Sequence, residues 1–375
     1  MIKIGIVGAR GLSFMTGFQN IEGVKVEALC DLDEDLLRKQ SQTYGIGKTF
    51  RVYDDMLECD IDAVVVATPM QFHVMHSIAA LQAGKHVMSE VTAGVNMEEL
   101  WWLVEEVEKS GKSYMFAENY CYIPQVQLIQ SMVDKGLFGD LYYAEGEYLH
   151  ELKNLSVYEN GKVSWRSYWQ LGRRGNFYPT HSLGPLMKWF KNERIESVTS
   201  FGTGWNTVPE FRQEDTSVTL CRTKSGKLIK LRLDCLSQRP HNLSYYTVQG
   251  TNGCYEAPRG MGDDHKIWFK GMDKDTDHAR WRPLADFYDD HMPERYKNAT
   301  KEQINAGHWG GDFFIVEDFI NAIKNKTKPP IDIYDACEWT AVALLSELSI
   351  MNNNKQMQMP DFKAGHLKEN QVTII

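Results

Sequence analysis

A phenol and an imidazole stand three residues apart in Y178-P-T-H181. Tyr178 and His181 are side chains suited to taking up and returning a proton, and so is His308 in G307-H-W-G-G-D-F313. Tyr148 and His150 alternate along G146-E-Y-L-H-E-L152, so one face of a strand would carry both. W165-R-S-Y-W169 and R173-R174 add flat rings, which cover sugar C–H faces, and guanidinium forks, which grip oxyanions. The alternative is plainer: Tyr178-Pro-Thr-His181 caps a helix, and the aromatic stretch is core with solvated arginines. Lys162, Arg166, Arg173 and Arg174 lie within thirteen residues of one another, in a chain of net charge −9. They suit an anionic ligand, or else ion pairs with surface carboxylates worth under about 1 kcal/mol each.

Residues 1–118 alternate strand and helix patterns. Strands are expected at Lys3–Val7, Val24–Cys30, Ala63–Ala67, His86–Ser89 and Ser113–Phe116. Helices are expected to start at Leu12 and to span Glu34–Tyr44, Phe72–Ala83 and Met97–Ser110. Such alternation with short connections means a doubly wound parallel sheet. After Glu118 the texture changes. A helix at Pro124–Lys135 precedes period-two strands at Tyr142–His150, Thr216–Arg222, Leu228–Asp234 and Tyr245–Gly250, which suggest a largely antiparallel sheet. Residues 257–300 are rich in Gly, Pro, Asp and aromatics and read as a long loop insertion. Helices follow at Gly311–Asn325 and Ile333–Asn352. The expected organisation is a dinucleotide-binding domain over 1–120 and a substrate-binding α+β domain over 121–375.

The turn G8-A-R-G11 follows the first strand and opens a helix. Gly8 and Gly11 permit a tight turn and close approach to a pyrophosphate. Asp31 ends the second strand twenty residues later, where an acid binds ribose hydroxyls and repels a 2′-phosphate, favouring NAD over NADP. A67-T-P-M-Q-F-H73 closes another strand at the ligand-binding edge, bringing in Thr68. His73 and His76 are one helical turn apart, a spacing open to a metal but more usual for packing; no H-E-x-x-H is present. D273-K-D-T-D277 imitates a calcium loop, but His278 and Leu284 occupy its glycine and glutamate positions. No metal is expected.

Forty-three per cent hydrophobic residues can fill real cores. The acidic balance opposes general binding to nucleic acid or anionic membranes. The seven cysteines are scattered without a C-x-x-C pair, as in a reduced cytoplasmic protein. The chain as given shows no cleavable leader and no apolar run long enough to span a bilayer.

Taken together, the G-A-R-G turn, C-D-L-D, A-T-P…H, G-K-H-V-M-S-E and the antiparallel half resemble the Gfo/Idh/MocA oxidoreductases along the whole chain. Most members carry Glu-Lys-Pro where this chain has Glu90-Val91-Thr92, and that lysine assists redox chemistry. Glu-Val, E118-N119, G146-E-Y-L-H-E-L152, W165-R166, Y178-P-T-H-S-L-G-P185 and G307-H-W-G-G-D-F313 are similar instead to one branch, the NAD-dependent glycoside hydrolases of family 109. The resemblance implies NAD contacts at Arg10, Gly11, Asp31, Met70, Gln71, Phe72, His73, Glu90, Val91 and Asn119. It implies carbohydrate contacts at Tyr148, Arg166, Tyr178, Pro179, Thr180 and His181, with His150 beside them. Tyr296 is one candidate for the branch's last substrate tyrosine. The first turn is one residue shorter than in the usual hydrolase form.

The mechanism so implied is a redox-neutral cycle. NAD⁺ oxidises C3 of the sugar, the C2 proton becomes acidic, the aglycone is eliminated, water adds and the ketone is reduced again. The cofactor carries the difficult chemistry, and no carboxylate pair across the glycosidic bond is needed. Tyr178 and His181 are the first candidates for proton transfer, with His308 and Tyr148 behind them. Two alternatives differ in class: a sugar dehydrogenase that exchanges its cofactor, and a non-catalytic sugar-sensing relative. A homo-oligomer is expected, because the open sheet of this family commonly packs against a partner's.

Overall fold

The first strand, β1 (Ile2–Val7), is buried from Ile4 onward, and its neighbours in the sheet are equally apolar. The computed structural model describes residues 1–191 and 193–365. Among these, β1 joins β2 (Val24–Cys30), β3 (Lys48–Phe50), β4 (Ala63–Val66), β5 (His86–Ser89) and β6 (Tyr114–Phe116) in a parallel sheet of order 3-2-1-4-5-6. All four residues of β4 are buried, as a sheet covered on both faces requires. The order reverses at β1 and β4, and ligands bind beyond the strand ends at such a point.

Local chemistry sets the helix ends. Asp33 accepts from Leu36 N at 3.0 Å to start Glu34–Tyr44, and Asn96 accepts from Glu99 N at 2.9 Å to start Met97–Ser110. The helix expected from Leu12 opens instead as a 3₁₀ segment, Ala9–Phe14, before an α-turn at Met15–Gln19. β3 and the short helix Tyr53–Leu57 were not expected; three and five residues are too few for a periodic pattern to show.

The second sheet is mixed and largely antiparallel. It comprises β7 (Leu141–Leu149), β8 (Ile195–Gly202), β9 (Thr216–Thr223), β10 (Leu228–Asp234), β11 (Asn242–Gly250), β12 (Gly253–Glu256), β13 (Lys266–Phe269), β14 (Arg282–Pro283) and β15 (Met357–Gln358). Its order is 14-13-12-11-7-10-9-8-15, and β7 with β10 is its parallel pair. The stretch 257–300 corrects the expectation of a plain loop: it contains β13, β14 and short helices at Tyr288–His291 and Glu294–Lys297. Cross-strand packing overrides its loop-like composition. Phe269 lies so close over Gly253 that a Cβ there would stand 2.3 Å from its ring.

The chain divides into two compact units. One comprises Met1–Tyr122, Ala299–Ala341 and Pro360–Ile375; the other comprises Ile123–Asn298 and Val342–Met359. The helix Gly311–Asn325 therefore belongs with the parallel sheet, where Val316 packs against Gly17.

Candidate functional site

In the first unit the turn after β1 is built for close approach. Gly8 has φ 87°, and a Cβ on it would stand 2.5 Å from the Ala67 carbonyl oxygen. A Cβ on Gly11 would stand 2.7 Å from Ile6 Cγ2. The backbone is thus pressed onto the ends of β1 and β4, with Arg10 exposed between the glycines. Asp31 Oδ2 accepts from Ala9 N at 2.9 Å and Oδ1 accepts from Asp33 N at 3.1 Å, so the carboxylate is fixed at the end of β2. Met70 is buried, Thr68 and Gln71 are partly exposed, and Phe72 is exposed on the loop after β4. These features fit a dinucleotide: glycines where a phosphate would press, and an acid where a ribose would lie.

His73 takes a different part from a ligand contact. Its ring is buried, with Nδ1 2.7 Å from Thr92 O and Nε2 2.7 Å from Thr68 O. The side chain ties the loop after β4 to the segment after β5. Burial pushes its pKa below the ordinary value, against the pull of those carbonyls. No nitrogen is left for a metal, and His76 Nδ1 meets Thr68 Oγ1 at 3.0 Å. Among the described residues no group of three or more metal-ligating side chains is placed around one point. The Asp273 carboxylate accepts from Trp268, Arg280 and Arg282, so the calcium-like loop is closed by its own neighbours.

Beyond β5 and β6 the same unit holds a polar chain. Glu90 is partly exposed and Val91 buried after β5; Asn119 is buried after β6. Asn119 Nδ2 donates to Asp312 Oδ1 at 2.8 Å. His308 Nδ1 lies 2.9 Å from Asp312 Oδ2 and 3.0 Å from Oδ1. Burial would lower the His308 pKa, but the hydrogen bond and charge of Asp312, with Glu90 behind, raise it; Arg10 opposes weakly. The backbone here is unusual. Gly307, His308, Trp309 and Gly310 have φ of 92°, 42°, 56° and 88°. Left-handed conformations on two non-glycine residues cost free energy and concentrate at functional sites. Asp312 was legible only as part of the G-H-W-G-G-D-F run; its four-residue spacing from His308 was the available signal.

In the second unit a glycine again permits the arrangement. A Cβ on Gly146 of β7 would stand 2.7 Å from Ser182 O, so the helix Thr180–Trp189 lies directly on β7 at this point. Two residues on, along the same face, Tyr148 meets that helix. The Tyr148 ring is 5.6 Å from Tyr178 and 5.3 Å from His181, and the Tyr178 and His181 rings meet edge-on at 4.9 Å. Tyr246 Oη donates to His181 O at 2.6 Å, fixing the segment from beneath. Tyr148 Oη and His150 Nδ1 are 2.7 Å apart. Burial first, then His241, Arg166 and His181, holds the His150 pKa down at about 4. His150 is therefore neutral near pH 7, and the tautomer of its ring sets the direction of the hydrogen bond with Tyr148. His241, 4.8 Å from His150, carried no sequence signal. Pro179 and Thr180 are buried at the start of the helix. Arg166 stacks 4.5 Å over Trp165 and donates to Gln170 Oε1 at 2.7 Å. Tyr296 is buried on the helix Glu294–Lys297.

Of the two readings of Arg173 and Arg174, an anionic ligand or ion pairs with carboxylates, the ion pairs are present. Arg173 pairs with Glu347 at 2.7 Å, and Arg174 pairs with Glu214 at 2.6 Å. Glu214 also accepts from Gly175 N at 3.1 Å and Glu347 from Arg174 N at 3.1 Å. Both carboxylates are buried, so the charges of these arginines are met inside the fold.

The family description "Oxidoreductase family, NAD-binding Rossmann fold" matches residues 2–118, and "Glycosyl hydrolase 109, C-terminal domain" matches 122–207 and 200–369. A "Glycosyl hydrolase family 109 protein" of Shewanella sp. (strain W3-18-1) is 30% identical over 403 residues, covering 97% of this chain and 86% of the relative. An "Alpha-N-acetylgalactosaminidase" of Shewanella oneidensis is 30% identical over 409 residues with the same coverage. A levoglucosan dehydrogenase solved with NADH shares the fold at a TM-score of 0.80 and 17% identity, covering 96% of this chain and 99% of its own. A scyllo-inositol dehydrogenase from Lactobacillus casei, solved with NAD(H) and scyllo-inositol, gives 0.72 at 19% identity, with the same coverage of each chain.

Proposed function

Because this chain belongs to the glycosyl hydrolase 109 family, we propose that it cleaves glycosides with phenol and imidazole side chains moving the protons. The observation that carries this is the packed cluster of Tyr148, Tyr178 and His181 beside a neutral His150. The chain is an NAD-dependent enzyme. Gly8, Arg10, Gly11, Asp31, Thr68, Met70, Gln71, Phe72, Glu90, Val91 and Asn119 would hold the nucleotide, with His73 shaping its loop. When bound, NAD supplies the transient oxidation of a sugar carbon and its reversal, which makes the neighbouring C–H acidic.

The chain's own residues then have distinct work. Tyr178 and His181 exchange the proton of that acidified carbon and the proton of the departing oxygen. Tyr148 Oη is held by its hydrogen bond to neutral His150 and would meet a sugar hydroxyl from that position. Trp165 and Arg166 present a flat face, while Pro179 and Thr180 fix the turn. His308 handles a proton in the first unit. Val91 contributes no ionisable group, so the proton work falls on these tyrosines and histidines. The substrate is a neutral carbohydrate, because Arg173 and Arg174 are already paired with carboxylates. The scattered cysteines, five of them buried, fit a cytoplasmic compartment. A homo-oligomer completes the proposal, to be read from mass by light scattering.

The test is a panel of aryl glycosides in both anomers, including an α-N-acetylgalactosaminide, with aglycone release and NADH absorbance followed together. Aglycone release without accumulating NADH supports the proposal. Stoichiometric NADH with a keto sugar would make the protein a dehydrogenase. Tight nucleotide binding with no turnover on any sugar would make it a sensor.

A further inference from the structure

Asp312 is almost completely buried and binds two side chains from different parts of the first unit. Asn119 Nδ2 donates to its Oδ1 at 2.8 Å, and His308 Nδ1 lies within 2.9 Å of its Oδ2. An ionised carboxylate only accepts, so it dictates the polarity of both partners. The Asn119 amide must turn its NH₂ towards Asp312, which leaves Oδ1 as the outward atom. Asn119 Oδ1 is buried and has no hydrogen-bond partner among the described residues. A buried acceptor left unpaired costs about 1–3 kcal/mol, so it points to a donor brought by a ligand. Asn119 Nδ2 also lies 3.0 Å from His308 Nδ1, but that nitrogen is within 3.0 Å of both Asp312 oxygens; with its proton there to meet the carboxylate, Nε2 is left outward with a lone pair when the ring is neutral.

The backbone is shaped to make this possible. A Cβ on Gly307 would stand 2.3 Å from Asp312 Oδ2, and a Cβ on Gly311 would stand 2.7 Å from Asn119 O. Asp312 lies in the first turn of the helix Gly311–Asn325, whose amino end favours a negative charge. The charged groups around the His308 ring are Asp312, Glu90 and Arg10, and the Tyr120 ring packs 6.1 Å away. Asn119 follows β6, and the Ala117 amide binds Ser89 at the end of β5, one strand from Glu90 and Val91. The chain of three residues therefore stands at the carboxyl edge of the nucleotide-binding sheet, beside a position where Val91 offers no proton.

We propose that Asp312 is a positioning residue that aims two ligand-facing atoms at once: His308 Nε2 as a proton acceptor, and Asn119 Oδ1 as a hydrogen-bond acceptor for the bound nucleotide. This rests on the nucleotide role given to Asn119 and the proton role given to His308 above, and concerns what fixes them. The Asp312 carboxylate touches no ligand itself. An asparagine at this position offers one neutral oxygen and puts an NH₂ donor in place of the other, so it holds the two partners less firmly than the carboxylate and frees the outward atoms to turn away.

The tests use nucleotide binding and the imidazole spectrum, and so do not depend on glycoside turnover. In ¹⁵N-histidine-labelled wild type, neutral His308 is expected as the Nδ1–H tautomer, the less common one in free histidine. The Nε2–H tautomer would overturn the proposal without any variant being made. Asp312→Asn is expected to lower the His308 pKa and to weaken NAD binding by roughly tenfold or more, as loss of a charged hydrogen-bond partner does. An unchanged His308 titration together with unchanged NAD affinity would overturn it. A cycle with Asn119→Ala separates positioning from general damage. The double variant is expected to bind NAD no worse than the weaker single variant, whereas additive losses contradict the shared role. If coupling is found in a protein that hydrolyses no glycoside, the positioning stands and the hydrolase reading falls.

Discussion

The Tyr178 and His181 rings meet edge-on with centroids 4.9 Å apart, and Tyr148 lies within 5.6 Å of both. Three residues of sequence separation become direct contact because Pro179 starts a helix between them. His181→Ala and Tyr178→Phe are each expected to lower kcat by roughly 10²-fold or more, the usual share of a positioned acid or base. Circular dichroism should show both variants folded. Near-normal rates in both would return the segment to a purely structural role.

The packing of this cluster depends on a missing side chain. Gly146→Ala would put a methyl group 2.7 Å from Ser182 O. Overpacking of this kind typically costs about 1–3 kcal/mol. The urea midpoint should fall by that equivalent, and kcat should fall with it because Tyr148 moves relative to His181. An alanine variant of unchanged stability and rate would show that the helix has room to retreat.

Arg174→Ala should be more damaging to stability than to specificity. It leaves the buried Glu214 carboxylate without its guanidinium, a loss of about 3 kcal/mol for a broken buried pair. Denaturant unfolding checks the loss. The ratio of kcat/KM for a glucuronide and its parent glucoside should be unchanged. A selective loss of activity on the glucuronide would restore an anion-binding role.

The pH dependence has a definite sign at His150. Its pKa is held at about 4, below the ordinary histidine value, so the unfolded chain takes up the proton first as pH falls. The stability due to this group is complete above the unfolded pKa and is lost as pH drops towards about 4. Comparing wild type with His150→Gln by urea midpoint at about pH 7 and about pH 4.5 should show a larger acid loss in wild type. Equal losses would mean that His150 titrates normally.

Much of this was readable beforehand, for physical reasons. The apolar runs of β1, β4 and β5 belong to a sheet buried on both faces, and such runs have few other uses. The alternation of Tyr148 and His150 gave their common face. The antiparallel strands were found where polar and apolar residues alternate, but the parallel pairing of β7 with β10 joins residues far apart and leaves no local mark. The short strands β3, β13 and β14 are held by their neighbours rather than by their own propensity. Arg173 and Arg174 show the limit most clearly. Their charge was visible in the sequence, but Glu347 and Glu214, which neutralise them, lie 174 and 40 residues away. The run of positive φ from Gly307 to Gly310 that presses His308 against Asp312 has no sequence period.

The most direct test is to hydrolyse a reactive glycoside in D₂O and locate deuterium in the released sugar. Proton exchange by Tyr178 and His181 at the carbon next to the transiently oxidised one predicts one deuterium at C2, with aglycone release and no accumulation of NADH. A released sugar carrying its original C2 hydrogen would contradict the account, in which the proton taken from C2 exchanges with solvent on Tyr178 and His181.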